Sequence, residues 1–485
     1  MNQRELEKYL WGAATTLRGT IDAGDYKQFI FPLLFFKRIC DVYDEEYDEA
    51  LATGDGDKEF ASFNENHRFQ IPKEAHWQKI RETTVNVGMA IQKAMRLIEQ
   101  ANPDTLSGIF GDATWTNKDR LSDEILINLI EHYSQHRLNL TNVPDDQLGD
   151  GYEYLIKQFA DDSGHTAAEF YTNRTVVKLM TMILDPKPGE SVYDPTCGSG
   201  GLLLNCALHL KEEGMEYRTL KLYGQEINLI TSAIARVNMF LHGIEEFSIV
   251  RGDTLVNPAF IENDELKKFN VVLANPPYSI KSWDQHAFDN DPFGRNVWGT
   301  PPQKCADYAF EQHIDKSMDD INGRCIQLWP HGVLERISEK KMRINMIKSG
   351  SVEAIIGLGE SLFYNSAMDS CLLIRNNNKA PERKGKILFI DAKKLIAIDR
   401  KNAYLTPEHQ SKIFNTYKKF DNQDGFSIVK SENEVLNNDG SLKISDYLKR
   451  SANLEDALPF SDAFNKWENE NIVLKKSLNQ LFEIL

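Results

Sequence analysis

The four residues that directly follow one short apolar run include groups that could bind an amine. The run Val271–Ala274 is typical of a buried strand, and Asn275-Pro276-Pro277-Tyr278 follows it directly. Prolines alone would end a strand, because proline cannot donate to the ladder of hydrogen bonds. The asparagine and the tyrosine beside them need a separate explanation.

These groups match the chemistry of methyl transfer to the exocyclic amine of a base. Such a nitrogen is a weak nucleophile because its lone pair is delocalised into the ring. Asn275 Oδ1 and the Pro276 carbonyl could accept its two hydrogens and direct the lone pair at the incoming methyl group. The prolines fix φ and would hold both acceptors rigidly. Tyr278 offers a flat face for a base swung out of its duplex.

A second set of residues has the spacing of a nucleoside site. The sequence VYDPTCGSGGLLLNCAL reads as a strand, a glycine turn and a helix, and Gly198, Gly200 and Gly201 would let the backbone approach a ligand closely. Glu226 ends the next strand-like run, where a carboxylate can bind both ribose hydroxyls. Asp253 ends the third run, where it could accept from an adenine amino group. Together they predict a site for an adenosine-containing cofactor.

The glycine turn favours S-adenosylmethionine over a dinucleotide. A dinucleotide needs its pyrophosphate bound by G-x-G-x-x-G at the start of a helix, whereas this turn reads GSGGLLL. Asp194 at the strand end would repel phosphates but would attract the ammonium group of S-adenosylmethionine. The sequence contains no G-x-x-x-x-G-K-[ST], so no ATPase site of that kind is predicted.

The pattern of the chain predicts how these residues come together. From about residue 185, short apolar runs alternate with helical segments, which indicates a doubly wound, mainly parallel sheet. Ligands bind such sheets at the carboxyl ends of the strands, where all of these residues fall. The predicted strands lie in ESVYDP, TLKLYGQE, FSIVRGD, FNVVLANPP, GRCIQLWP, VEAIIGL and DSCLLIRN, and the predicted helices at 201–214, 228–242, 306–319 and 333–348.

The length of the chain, 485 residues, predicts two or three domains. Residues 1–160 show helical periodicity and few strand-like runs, so we expect a helical N-terminal domain. Residues 161–400 would form the α/β domain, and 401–485 a C-terminal extension. The extension ends in an amphipathic segment that begins at Ser461. The spacing of its apolar residues is equally consistent with packing on its own domain and with binding a partner.

The composition is that of a soluble protein, with 41% hydrophobic and 26% charged residues. The net charge of −16 is unusual for a protein that holds DNA mainly by its own surface. No CxxC pair occurs among the six cysteines, which predicts neither a zinc site nor a disulfide framework. His132 and His136 have helical spacing but no third ligand, so we expect a structural role. Without a signal peptide or a spanning segment, the expected location is the cytoplasm.

The motifs together resemble those of DNA amino-methyltransferases in the gamma arrangement. Asn275-Pro276-Pro277-Tyr278 is similar to their catalytic motif, and the sequence from Asp194 to Gly201 is similar to their S-adenosylmethionine loop. AAEFYTNRTVVKLM resembles the segment that closes over the methionine end of the cofactor, with Asn173 where the family more often has proline. The resemblance implies four catalytic residues, Asn275, Pro276, Pro277 and Tyr278. The proposed chemistry requires no metal. The predicted cofactor-binding residues are Glu169, Phe170, Tyr171, Thr172, Asp194, Thr196, Gly198, Ser199, Gly200, Gly201, Glu226, Asp253 and Asn275.

The resemblance extends over nearly the whole chain to the modification subunit of type I restriction-modification systems. It includes the helical N-terminal domain, DGYEYLIKQFA, GRCIQLWPHGVL and the C-terminal helix. It implies a Rossmann-like S-adenosylmethionine-dependent methyltransferase domain that methylates N6 of a flipped adenine in double-stranded DNA. It also implies two modification subunits joined to a specificity subunit that reads the DNA, and leaves open whether a restriction subunit joins. Because the specificity subunit reads the DNA in such a complex, the modification subunit itself can carry a net negative charge.

Four other functions compete with this interpretation. Cytosine C5 methylation needs a cysteine nucleophile, usually after proline, and the sequence has no Pro-Cys pair. Protein-glutamine methyltransferases share Asn-Pro-Pro-Tyr but are much shorter chains. Cytosine N4 enzymes more often begin the motif with serine, so Asn275 favours adenine. A catalytically silent assembly subunit would not need an intact motif.

Residues 279–310 are rich in Asp, Asn, Gly and Pro and predict a long loop, a feature that is commonly functional. We expect this loop to become ordered over the flipped base when DNA binds. Aromatic residues in this loop and in GESLFYNSAMDS are candidates for contact with the base, although core packing is favoured for Phe363 and Tyr364. The candidates are Trp283, Phe288, Trp298, Phe363 and Tyr364.

Overall fold

The computed structural model describes residues 1–21, 25–162, 172–360, 362, 370–399 and 402–448, and the isolated positions 464, 467, 468 and 475. A helical N-terminal part packs against a larger α/β part. The described helices of the N-terminal part are α1 Gln3–Thr16, α2 Lys27–Thr53, α3 Lys58–Ala61, α4 Trp77–Arg81, α5 Val87–Ala101, α6 Pro103–Leu106, α7 Asp123–Tyr133 and α8 Asp145–Asp162.

The core of the N-terminal part forms around α2, whose aromatic residues Phe29, Phe31, Phe35 and Phe36 are all buried. Phe31 packs against Tyr152 on α8, and Phe36 against Trp77 on α4. Burial of such large apolar side chains is the dominant stabilising contribution to a helical domain.

His132 in the last turn of α7 and His136 just after that helix have the structural role expected from the sequence. His132 Nε2 donates to the Tyr9 carbonyl (2.8 Å), and its ring stacks on the Tyr9 ring. The His136 ring meets the same tyrosine edge-on. Both rings therefore help to join α1 to the end of α7.

A nine-stranded mixed sheet forms the centre of the α/β part, with the strand order β13-β10-β8-β9-β7-β6-β1-β2-β3. Its strands are β1 Ser191–Asp194, β2 Lys221–Glu226, β3 Phe247–Arg251, β6 Val271–Ala274, β7 Arg324–Pro330, β8 Val352–Gly357, β9 Ser370–Asn376, β10 Lys386–Asp391 and β13 Ser427–Ser431. Two small hairpins lie outside it, formed by β4 Ile261–Glu262 with β5 Glu265–Leu266 and by β11 Ala397–Asp399 with β12 Asn402–Tyr404.

The sheet is mainly parallel, as predicted, with β9 inserted antiparallel between β7 and β8. From β1 the chain first builds β2 and β3 on one side and then returns to place β6 on the other. This change of direction between β1 and β6 is a topological switch point, where α/β sheets bind ligands. Asp194 and Asn275 lie at the carboxyl ends of these two neighbouring strands.

Helices cover both faces of the sheet and agree with most of the predicted segments. They are α9 Arg174–Leu184, α10 Gly201–Glu212, α11 Leu229–Leu241, α12 Gln285–Asp289, α13 Asp307–Ser317, α14 Lys340–Lys348, α15 Pro407–Lys419 and α16 Glu432–Asn437. The helix predicted at 333–348 is instead two short 3₁₀ turns, His331–Leu334 and Ile337–Glu339, followed by α14. The chain is extended at Arg336, between the two turns.

The boundary predicted at residue 400 falls inside the sheet, because β13 pairs antiparallel with β10. This pairing covers the edge of β10, which would otherwise present unpaired N–H and C=O groups. The segment reads as polar because β13 is itself an edge strand that is only partly buried. The amphipathic helix predicted from Ser461 lies outside the described residues except at four isolated positions.

The helical part joins the sheet through α11. Tyr152 Oη on α8 donates to the Ile234 carbonyl (3.3 Å), and Arg236 donates to the carbonyls of Ser107 and Thr105 (2.5 and 2.6 Å). Ile234 also belongs to the hydrophobic core of the helical part. Over the described part of the chain, no helix combines the length and the apolar character that crossing a bilayer requires.

Candidate active site

The glycine turn after β1 folds as its sequence predicts. Gly198 and Gly200 have φ of 55° and 81°, in the left-handed region that favours glycine. A Cβ at Gly200 would lie only 2.8 Å from Met239 Cε on α11, so the Met239 side chain would have to shift to admit one. Gly200 caps α10, whose first backbone N–H groups consequently face the end of β1.

Asp194, at the end of β1, is fully buried and has an unsatisfied oxygen. Its Oδ1 accepts from the Thr196 backbone N–H (2.9 Å), while Oδ2 has no hydrogen-bond partner. Burial raises the pKa of the Asp194 carboxyl to about 8, an effect that the Thr196 N–H opposes and the nearby Glu226 charge increases. A cation bound beside Oδ2 would satisfy this oxygen, which fits the ammonium group of S-adenosylmethionine.

A narrow cavity joins this carboxylate to the Asn-Pro-Pro-Tyr sequence. Its volume is about 30 Å³. Seven of the predicted cofactor-binding residues line it, namely Thr172, Asp194, Thr196, Gly198, Ser199, Gly201 and Asn275. Five lining residues were not predicted from the sequence, namely Glu153, Arg174, Val177, Cys197 and Leu202. All five lie within the motif segments DGYEYLIKQFA, AAEFYTNRTVVKLM and VYDPTCGSGGLLLNCAL, so the sequence indicates the segments but not these individual side chains.

The acids at the next two strand ends occupy different environments. Glu226 is buried, and its Oε2 and Oε1 accept from the backbone N–H groups of Gly198 (3.0 Å) and Asn228 (2.8 Å). Burial raises the pKa of Glu226 above its usual value, and the hydrogen bonds from these two N–H groups offset only part of that rise. Asp253 is half-buried, and its Oδ1 accepts from the Leu255 N–H (2.9 Å). Glu226 therefore contacts the glycine turn, whereas Asp253 stabilises its own loop.

The Asn275 amide is fixed by its nitrogen. Nδ2 donates to Thr172 Oγ1 (3.0 Å), and no described residue donates to Oδ1. Pro276 is buried and Pro277 is exposed, so the motif turns outward immediately after the asparagine. The Tyr278 hydroxyl is buried and has no hydrogen-bond partner. The arrangement leaves Oδ1 available as an acceptor next to the cavity.

Some predicted residues cannot be placed in the site. Glu169, Phe170 and Tyr171 lie outside the described residues, as do Phe363 and Tyr364. Phe288 and Trp298, two other predicted contacts of the base, are buried in this structure. Phe288 packs against Leu255 and Ala306 in a hydrophobic cluster, and Trp298 lies beneath the Arg375 guanidinium at 5.1 Å. Contact of either ring with a base in the DNA-bound complex stays a prediction.

Trp283 remains a candidate contact, because its ring is partly exposed. Its Nε1 donates to the Gln303 carbonyl (3.0 Å) within the same loop.

Arg295 connects the loop that follows the motif to the loop that follows β3. It is 2% exposed and donates to the carbonyls of Thr254 (2.9 Å) and Leu255 (2.8 Å), and it pairs with Asp291. Thr254 Oγ1 in turn donates to the Pro195 carbonyl in the glycine turn (2.5 Å). A single arginine in a polar loop gave no signal of this role in the sequence.

Comparisons with known proteins agree with this geometry. The sequence model of the family described as N-6 DNA Methylase matches residues 143–456, and that of the HsdM N-terminal domain matches residues 6–133. The chain belongs to the N-6 DNA methylase family. The family assignment supports adenine N6 as the target atom over cytosine N4 and protein glutamine.

Individual relatives place the chain more closely within this N-6 DNA methylase family. It is 30% identical over 482 residues to the type I restriction enzyme MjaVII methylase subunit of Methanocaldococcus jannaschii, with 95% of this chain and 78% of the relative covered. It is 28% identical to the HindI methylase subunit of Haemophilus influenzae, with 85% and 97% covered. The crystal structure of a type I restriction-modification methyltransferase subunit from Streptococcus thermophilus superposes with a TM-score of 0.80 at 28% identity, covering 93% of this chain and all of that one.

The family and the fold together establish the activity of this N-6 DNA methylase. It is an adenine-specific DNA methyltransferase that uses S-adenosylmethionine, and it is a type I modification subunit. Its methyltransferase domain is Rossmann-like, and its N-terminal part is the helical domain of this subunit class.

Proposed function

We propose that Asn275 Oδ1 and the Pro276 carbonyl accept the two hydrogens of adenine N6 while Tyr278 stacks on the base. The position of Asn275 carries this proposal. It ends the strand next to Asp194, its Nδ2 is held by Thr172, and its Oδ1 faces no other donor among the described residues. Two acceptors on one amine favour a pyramidal nitrogen with its lone pair directed away from them.

S-adenosylmethionine, when bound, supplies the methyl group. We propose that the Asp194 carboxylate pairs with its ammonium group, because Oδ2 is buried without a partner. Glu226 binds the ribose hydroxyls beside the glycine turn, and Asp253 accepts from the adenine amino group of the cofactor. Thr172 and the glycine turn position the methionine end, and the same role is assigned to Glu169, Phe170 and Tyr171 outside the described residues.

Methyl transfer leaves the product amine with one proton too many. An amide and a backbone carbonyl are not bases at neutral pH, so neither Asn275 nor Pro276 can take that proton. They orient and polarise the amine, and the proton leaves to water after transfer. The chain's own contribution is therefore positioning and the arrangement of acceptors.

The type I modification subunit acts in a complex. We propose that it pairs with a second copy and a specificity subunit, with the N-terminal domain and the C-terminal segment as contact elements. The net charge of −16 supports reading of the DNA by a partner. The six cysteines are free thiols, which supports a cytoplasmic location.

Transfer of a labelled methyl group tests this function. The chain would be combined with its specificity subunit, labelled S-adenosylmethionine and duplex DNA, and the modified base identified after digestion. We expect label on N6-methyladenine, and none on a duplex whose target adenine is replaced. Label on cytosine N4, or label in protein with none in DNA, would contradict the proposal.

A further inference from the structure

The residue that follows the catalytic motif has an unusual backbone conformation. Ser279 has a φ of 50°, in the left-handed region that residues other than glycine seldom adopt. The preceding tyrosine lacks a polar anchor, because its buried hydroxyl has no hydrogen-bond partner. The orientation of Tyr278 therefore depends on packing and on the backbone next to it.

Two charged residues hold Ser279 in this conformation. The Ser279 backbone N–H donates to Asp307 Oδ1 (3.2 Å), and Arg336 Nη2 donates to Ser279 Oγ (3.0 Å). Arg336 Nη1 also donates to Asp307 Oδ2 (3.1 Å), so the three residues form a closed network. It joins the catalytic motif, the first turn of α13 and the extended break between the two 3₁₀ turns after β7.

The surroundings of Arg336 indicate an ion-pair network here. Cys305 Sγ, Asp307 and Glu339 have ligand atoms within 4.8 Å of one another, which is a spacing that could hold a metal. The Arg336 guanidinium lies among them, at 3.6 Å from Cys305 Sγ, 3.1 Å from Asp307 and 3.5 Å from Glu339. A cation already occupies the place that a metal would take, so the cluster is assigned to positioning Arg336.

We propose that Asp307 and Arg336 are positioning residues that hold Ser279 and thereby fix the Pro276 carbonyl and the Tyr278 ring beside the reacting amine. The proposal rests on the function proposed above for Asn275-Pro276-Pro277-Tyr278. Asp307 is 4% exposed and anchored in α13, so its carboxylate is a rigid support. A misplacement of about 1 Å at reacting atoms can slow a reaction about 100-fold.

Single-turnover methyl transfer by the complete complex tests this role. Arg336→Gln should slow transfer about 10- to 100-fold, since it leaves Ser279 Oγ without its cationic donor. The Kd values for S-adenosylmethionine and for DNA should remain close to wild type, whereas the melting temperature should fall, because the buried carboxylates of Asp307 and Glu339 lose their cationic partner. Lys341→Gln, which removes an exposed positive charge from α14, is the matched control and should transfer at the normal rate.

Substitutions of Ser279 separate backbone conformation from charge. Glycine adopts positive φ freely, so Ser279→Gly should remain within about fivefold of the wild-type rate. Valine disfavours this conformation, so Ser279→Val should be at least as slow as Arg336→Gln. In a double-mutant cycle, Arg336→Gln should lose most of its effect in the Ser279→Gly background, because Arg336 acts through Ser279.

Three results would overturn the inference: a normal rate in Arg336→Gln, a rate loss matched by an equal loss of DNA affinity, or full additivity in the cycle. Asn275→Ala measured in parallel separates this outcome from failure of the proposed function. If Asn275→Ala abolishes transfer while Arg336→Gln is normal, only the positioning role fails. If Asn275→Ala is itself near normal, the proposed function fails.

Discussion

At the end of β1 the site presents a buried carboxylate, whereas at the end of the neighbouring strand β6 it presents a neutral amide. The carboxylate end is built locally, because the glycine turn supplies N–H groups to Asp194 and Glu226 from within a few residues of β1. The amide end is built from distant segments. Thr172 holds the Asn275 nitrogen, and Asp307 and Arg336 hold the residue that follows the motif.

The difference between these ends follows from what each must bind. If Asp194 binds the ammonium group of the cofactor as proposed, a carboxylate that is costly to bury gains a partner when the cofactor binds. The target amine is neutral and must keep its lone pair free, so an ionisable group beside it would risk protonating it or competing for it. An amide accepts hydrogen bonds without titrating near neutral pH. We therefore expect cofactor binding to depend on pH and the hydrogen bonds of the Asn275 amide to be independent of it.

The largest effect is expected from Asn275→Ala, which should slow methyl transfer without weakening cofactor binding. Loss of the Oδ1 acceptor should reduce the rate of methyl transfer by at least about 100- to 1000-fold, the range seen when one preorganised polar group is removed from a transition-state site. Binding of S-adenosylmethionine should change little, because Asp194 and the glycine turn are intact. Rapid-quench assays and calorimetry measure the two effects separately.

Thr172→Val provides the control for that variant. It removes the partner of Asn275 Nδ2 but keeps the Oδ1 acceptor, so the rate should fall much less than in Asn275→Ala. If Asn275→Ala kept near-normal activity in the presence of its partner, the Asn275 Oδ1 acceptor would not be needed for methyl transfer, and the proposed difference between the two ends would be wrong.

The cofactor end was largely predictable from the sequence because it is local. A strand, a glycine turn and acids at the following strand ends occur in order, and parallel strands bring such ends to one edge of the sheet. Five predicted residues of the cofactor end consequently line one cavity, namely Asp194, Thr196, Gly198, Ser199 and Gly201, whereas Glu226 and Asp253 are not among its lining residues. The roles of these residues in binding remain predictions.

The support of the amine end was not predictable, because no periodicity links residues so far apart. Thr172 and Asn275 are separated by 103 positions, and Ser279 and Arg336 by 57. Phe288 and Trp298 looked available in a polar loop, but the loop is packed against the molecule by the buried Arg295. Long-range packing of this kind leaves almost no trace in a local pattern.

The next largest effect is expected from Asp194→Asn at the cofactor end. Removing the charge that faces the ammonium group should weaken S-adenosylmethionine binding by about 30-fold or more, as for other buried charge pairs. At saturating cofactor the transfer rate should recover substantially, since Asn275 is unaffected. Calorimetric titration checks the affinity, and unchanged affinity would show that Asp194 does not contact the cation.

The pH dependence of cofactor binding sharpens the same contrast. With a pKa of about 8, Asp194 is mostly protonated at pH 7 in the free protein. Pairing with an ammonium favours the carboxylate, so binding should release about one proton, and affinity should rise up to about tenfold per pH unit until pH 8. Calorimetry in buffers of different ionisation enthalpy measures this release. Equal enthalpies in all buffers would contradict the assignment, and Asp194→Asn should abolish the release.

Glu226→Gln is expected to give the smallest of these effects. An amide oxygen can still accept from the Gly198 N–H or a ribose hydroxyl, but the charge that strengthens those bonds is lost. Affinity for S-adenosylmethionine should fall about tenfold, and the transfer rate at saturation should stay near normal. A cofactor analogue with a 2′-deoxyribose provides the matched test. If Glu226 binds the ribose, removal of the 2′-hydroxyl from the cofactor should reduce the affinity of Glu226→Gln less than it reduces the affinity of the wild-type protein. Equal losses for both proteins would leave Glu226 with its contact to the glycine turn alone.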